Sequence, residues 1–185
     1  GAGGSDTSAY DHARHGSLEG YADDLLEILD ALELERVSFV GHSLSAMVGV
    51  IAAGRAPSRF DRLALIGGSP RYVDDPPNYV GGFSRDDVEG LLGFMDANFM
   101  GWATALSEKA TPSGETAEEL LASFHASDET CLRDLARVVF LGDYREALGR
   151  VAAHCLVVQC TRDDIVPRRV GQYLASTLPH ATYRE

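Results

Sequence analysis

The chain is short of cysteine, of positive charge and of long apolar runs. Its three cysteines, Cys131, Cys155 and Cys160, are an odd number among 185 residues, and Cys160 directly follows the predicted strand that holds Cys155. That pattern excludes a disulfide framework and fits reduced structural thiols, so a cytoplasmic location is expected. No Cys/His spacing resembles a zinc site, and neither a metal nor a cofactor is expected. The formal net charge of −12 argues against nucleic acid and anionic membrane surfaces as partners. No apolar run approaches the ~20 residues needed to span a bilayer. What remains is a chain with 45% hydrophobic residues, enough to build a sizeable core.

The informative stretch is Val37-Ser38-Phe39-Val40-Gly41-His42-Ser43-Leu44-Ser45-Ala46. A β-branched and aromatic run leads into a serine held between small residues, and an apolar segment rich in Ala and Gly follows. This is the layout of a nucleophile elbow, in which a serine sits on a tight strand-to-helix turn with its hydroxyl clear of the sheet. The usual pattern is G-x-S-x-G. Ser45 stands at its fifth position and is small enough to preserve the turn. Ser43 is therefore the candidate nucleophile, and the backbone N–H of Leu44 is the candidate oxyanion donor.

Around the elbow the chain alternates strands and helices. Leu18, Tyr21, Leu25, Ile28, Leu29 and Leu32 fall on one face of a predicted helix over 17–32, with Ser17 as its N-cap. Strands are predicted at 37–40, 62–66 and 154–159, and a helix at 168–178. Strand, helix, strand in this order implies parallel pairing through right-handed crossovers, and the expected α/β architecture is a mostly parallel sheet with helices on both faces. From Arg71 to about Tyr144 the rhythm breaks. A proline-rich turn is followed by helices near 85–98, 117–127 and 128–141, with an aromatic, apolar character. An apolar block inserted between two sheet strands reads as a cap over a pocket. The expected division is a core part at 1–70, a helical cap at 71–145 and a second core part at 146–185.

A serine needs a base, and the base needs a carboxylate to orient it. In α/β-hydrolases the chain order is Ser, then Asp or Glu, then His. Asp163, just past a strand end and beyond the cap, suits the acid. Asp164 competes with it, and Asp74 and Asp75 are remoter alternatives. None of His12, His15, His42, His125, His154 and His180 is assigned as the base. The chain opens without Met and stops inside an expected strand. The expectation is a piece of a longer protein whose catalytic histidine lies past Glu185 and whose first strands precede Gly1. Such a piece would be inactive by itself and would leave a sheet edge unpaired.

With these residues in place, the chain resembles the α/β-hydrolase subfamily containing the stress-response regulator RsbQ and the plant strigolactone and karrikin receptors. The resemblance rests on Gly-His-Ser-Leu-Ser-Ala-Met (41–47), Gly-Gly-Ser-Pro-Arg-Tyr (67–72), Tyr-Val-Gly-Gly-Phe (79–83), Gly-Trp-Ala (101–103) and Gln-Cys-Thr-Arg-Asp-Asp-Ile-Val-Pro (159–167). It implies Ser43 as nucleophile and Asp163 as acid. It also implies a four-helix, V-shaped cap over a deep apolar pocket lined by Tyr72, Phe83, Trp102, Leu106 and Phe140. At position 106 the plant receptors commonly carry an aromatic residue instead. The implied activity is hydrolysis of a small apolar ester or lactone. The alternative is an RsbQ-like signalling protein that binds such a ligand and engages a protein partner through the cap.

Overall fold

A computed structural model describes residues 5–111 and 114–185. The described chain begins with a 3-10 turn at Thr7–Ala9 and a short helix, α1 (His12–His15). Next come α2 (Leu18–Ala31), β1 (Val37–His42), α3 (Leu44–Arg55) and β2 (Phe60–Ile66). The inserted block holds α4 (Arg85–Ala97), α5 (Phe99–Ala110), α6 (Gly114–Ala126) and α7 (Glu129–Leu141). The chain then runs through α8 (Arg145–Leu148), β3 (His154–Val158), α9 (Arg168–Thr177) and β4 (Ala181–Arg184).

All four strands are parallel, in the order β1-β2-β3-β4. Their register aligns Val40 with Ala64, Ala64 with Leu156, and Leu156 with Thr182. Strand alternation separates two sets of side chains. Leu63, Leu65, Cys155 and Val157 are buried in one cluster with residues of α2, α3, α8 and α9. Val40 and Leu156 belong to the other face and are 68% and 39% exposed. The α/β class with a parallel sheet holds. Among the described residues the core helices cover one face of that sheet, where helices on both faces were expected.

The pattern of α3 explains its place. Eight successive residues, Ala46 to Ala53, are buried. A helix apolar all round belongs inside a core, and α3 is packed by the sheet, α2 and α8. For α2, Ser17 occupies the N-cap with extended backbone, as expected, but makes no side-chain capping bond.

The apolar periodicity of the inserted block missed α5. Asn98 both ends α4 and starts α5, its side chain accepting from the Gly101 N–H at 3.0 Å. One residue thus splits what reads as a single helical stretch followed by a loop. The start of α4 is an N-terminal capping box between Ser84 and Asp87. A second cluster unites Val88, Leu92, Met95, Trp102, Leu132 and Phe140, and Val166 and Val170 join it from beyond β3. Cys131 and Cys155 are buried free thiols and Cys160 is exposed. Burial pushes the Cys155 thiol up to about 11. No described helix is long and apolar enough to cross a membrane.

Candidate active site

Ser43 follows the last residue of β1 and is the N-cap of α3, with φ 55° and ψ −122°. It is one of two described non-glycine residues with positive φ. Strain of this kind persists only where surrounding bonds impose it. Two sets do so here. The Ser43 N–H donates to the Ile66 carbonyl at 2.9 Å, tying the bend to the end of β2. The Ser45 hydroxyl donates to the His42 carbonyl at 2.8 Å and accepts from the His42 N–H at 2.9 Å. The serine at the fifth motif position therefore closes the loop actively, a role its small size alone does not reveal.

Gly41 is required by space. A Cβ there would lie 2.7 Å from the Cα and N of Ala46 and from the Ser45 carbonyl carbon. Those atoms are backbone and cannot swing aside. Gly41→Ala is expected to destabilise the full-length protein by about 3 kcal/mol, the upper range for overpacking, in urea unfolding. An unchanged midpoint would show that the elbow can open without cost.

Leu44 is the first residue of α3, so its N–H is among those a helix leaves without an internal partner. Asp163 lies in the loop after β3 and is half-buried. Its Oδ1 accepts from the N–H groups of Ile165 and Val166 at 2.9 and 2.8 Å. Its Oδ2 faces Gly67, the residue after β2, at 3.8 Å from where a Cβ would sit. The Nε2 of His42 lies 3.9 Å from the same point. Asp163 and the end of β1 thus meet over Gly67, at the C-terminal edge of the sheet.

Tyr72 is a titratable group on which both candidate catalytic residues act electrostatically. Burial pushes its phenol up to about 12, hydrogen bonding with the Ser43 side chain opposes that rise, and the Asp163 charge adds to it. Tyr72 is 3% exposed and packs against Phe140 at 5.0 Å between ring centroids and Phe83 at 6.4 Å. Trp102 sits deeper in the second cluster, between Phe99 and Phe124, and Leu106 packs on the same cluster. The Trp102 Nε1 is buried with no hydrogen-bond partner among the described residues. A groove of about 540 Å³ is lined by Gly82, Phe83, Leu91, Lys109, Asp164 and Ile165, among others. Of the five expected lining residues it includes Phe83 alone.

The competing carboxylates have other surroundings. Asp164 is exposed on that groove. Asp74 accepts from the Gly82 N–H at 2.9 Å, and Asp75 pairs with Arg145 at 2.9 Å. The histidines other than His42 lie away from the elbow. His12 pairs with Asp134 and buried His15 with Asp24, each at 2.9 Å. His125 is exposed on α6. His154 opens β3 and His180 precedes β4, at the sheet edge opposite Ser43. Among the described residues no group of His, Cys, Asp and Glu could hold a metal ion.

The comparisons agree with this architecture. The family described as the alpha/beta hydrolase fold matches residues 1–185. The chain is 37% identical over 169 residues to the strigolactone esterase RMS3 of Pisum sativum, covering 89% of this chain and 62% of that protein. It is 34% identical over 182 residues to the karrikin insensitive 2 receptor IA of Petunia hybrida, covering 96% and 66%. The chain therefore spans less than two thirds of the length of these curated relatives. A hydrolase from Oleispira antarctica superposes with a TM-score of 0.95 at 38% identity, over 99% of this chain and 68% of that one. Fold, elbow geometry and these likenesses converge: the chain belongs to the α/β-hydrolase fold family.

Proposed function

We propose that the full-length protein is a serine hydrolase acting on a small apolar carboxylic ester or lactone. Ser43 attacks the carbonyl carbon, and its proton passes to a histidine located beyond Glu185. Asp163 holds that histidine, and the Leu44 N–H stabilises the oxyanion. Residues 71–145 act as the cap, with Tyr72, Phe83, Trp102, Leu106 and Phe140 selecting the substrate by shape. The observation that carries this reading is the strained backbone of Ser43, held at φ 55° at the mouth of a helix. The position of Asp163 over Gly67 supports it. So does the esterase named among the relatives at 37% identity.

The test is a fluorophosphonate probe on the full-length protein, followed by peptide mass mapping. The adduct is expected on Ser43. An adduct elsewhere, or none under conditions that label a reference esterase, overturns the reading.

A second reading is favoured by the receptors among the relatives. There hydrolysis at the same site is slow and coupled to rearrangement of the cap, through which a protein partner is engaged. Fast multiple turnover without any partner separates the first reading from the second.

A further inference from the structure

The loop that carries Asp163 is closed at its base by a buried amide. Gln159 is the residue after β3 and is 3% exposed. The backbone around it is fixed from both sides of the sheet. The Gly67 N–H donates to the Val158 carbonyl at 2.9 Å, and the Gln159 N–H donates to the Arg184 carbonyl at 2.9 Å. From this fixed base the Gln159 Nε2 donates to the Val166 carbonyl at 2.9 Å and lies 3.5 Å from the Cys160 carbonyl. Cys160 and Val166 are the two ends of the segment that holds Asp163.

Val166 is held by both of its backbone groups. Its carbonyl accepts from Gln159, and its N–H donates to Asp163 Oδ1 at 2.8 Å. Its side chain is buried in the second cluster. Contacts thus run from the sheet through Gln159 and Val166 to one oxygen of Asp163, while the other oxygen faces Gly67. Helix α9 leaves room for the amide at Gly171, where a Cβ would fall 2.5 Å from Gln159 Oε1. A buried amide is costly unless it is hydrogen-bonded. An apolar side chain of the same length would fill the space but leave the Val166 carbonyl without this bond.

We propose that Gln159 is a positioning residue for Asp163. By tying Val166 to the end of β3 it fixes the loop whose N–H groups hold Asp163 Oδ1, and so aims Oδ2 at the space over Gly67. The inference rests on Asp163 being the acid that orients the catalytic histidine. It adds that the aim of that acid is set by an uncharged amide buried behind it. A small displacement of a catalytic group is costly in rate, so a loosened tie is visible in the chemistry.

The experiment is a double-mutant cycle on the full-length protein, reading the second-order rate of fluorophosphonate labelling at Ser43, with kcat and KM for p-nitrophenyl acetate measured beside it. Gln159→Met keeps the length of the side chain and removes the donor. It is expected to slow labelling and lower kcat about tenfold, with KM within about twofold of the parent. In an Asp163→Asn background the same substitution is expected to change labelling less than about twofold, because the tie acts through the carboxylate. Gly171→Ala is a second route to the same end, since its Cβ would push on the tip of the amide. It should show the same loss and the same silence beside Asp163→Asn, and it replaces Gln159→Met if that variant does not fold. A tenfold loss that persists in the Asp163→Asn background would assign Gln159 a purely structural role and sink the inference. An unchanged rate in Gln159→Met, or a rise in KM alone, would sink it too. Labelling absent from the unsubstituted protein, or undiminished in Asp163→Asn, would instead overturn the hydrolase reading itself, and this inference with it.

Discussion

Ser43→Ala in the full-length protein is expected to lower kcat by about 10⁶, with the fold intact. Loss of a serine nucleophile has an effect of this order, because the oxyanion donor and the pocket are left to act on water alone. Stability should hardly change, since alanine and serine share the Cβ that makes the backbone of position 43 unfavourable. Ser43→Gly gives a second signature. Glycine tolerates φ 55° without that steric conflict. Ser43→Gly should therefore be as inactive as Ser43→Ala yet more stable by about 1 kcal/mol in urea unfolding. A stabilising substitution that abolishes activity is the expected behaviour of a bend kept strained for chemistry. If Ser43→Ala retains esterase activity and fluorophosphonate labelling, another residue is the nucleophile.

Asp163→Asn is expected to lower kcat by about 10⁴ with little change in melting temperature. The two effects separate because the two carboxylate oxygens do different things. Oδ1 accepts from the Ile165 and Val166 N–H groups, and an asparagine oxygen can accept both of these bonds. The amide NH₂ then replaces Oδ2, the oxygen that faces Gly67. There it donates where the carboxylate accepted, which forces an incoming imidazole into the wrong tautomer. Asp164→Asn is the control: that side chain is exposed, and kcat should change less than twofold. The reverse pattern, with Asp164 sensitive and Asp163 indifferent, would move the acid by one residue.

The local pieces of this protein are legible in its sequence for local reasons. The β-branched run before Gly41 and the small residues after Ser43 announce a strand, a bend and a helix, because each depends on neighbours within a few positions. In α2 the apolar spacing holds for buried Leu18 and Leu29 and for Tyr21 and Leu25, which pack on the core, whereas Ile28 and Leu32 are 53% and 62% exposed toward the helix end, where no layer of the described residues covers them. Alternative readings survived where the spacing was ambiguous. Asn98 caps two helices at once, so α5 was hidden behind an apparent single helix and loop. Ser45 looked passive because its hydrogen bonds run back across the bend to His42. The open face of the sheet was equally hidden, since the alternation that builds β1 is the same whichever layer covers it.

The sequence by itself determined that a serine stands on a strand-to-helix bend, that an aromatic block interrupts an α/β rhythm, and that a carboxylate follows a later strand. These are properties of backbone propensity and hydrophobic period, which act over a few residues. Only the tertiary structure decided that Asp163 comes to lie over Gly67 beside the end of β1, that Tyr72 packs between Phe83 and Phe140, and that Arg71 and Asp143 close the neck of the inserted block. Such pairings join residues far apart in the chain. They are set by the register of parallel strands and by packing around two separate cores, and no local pattern encodes them.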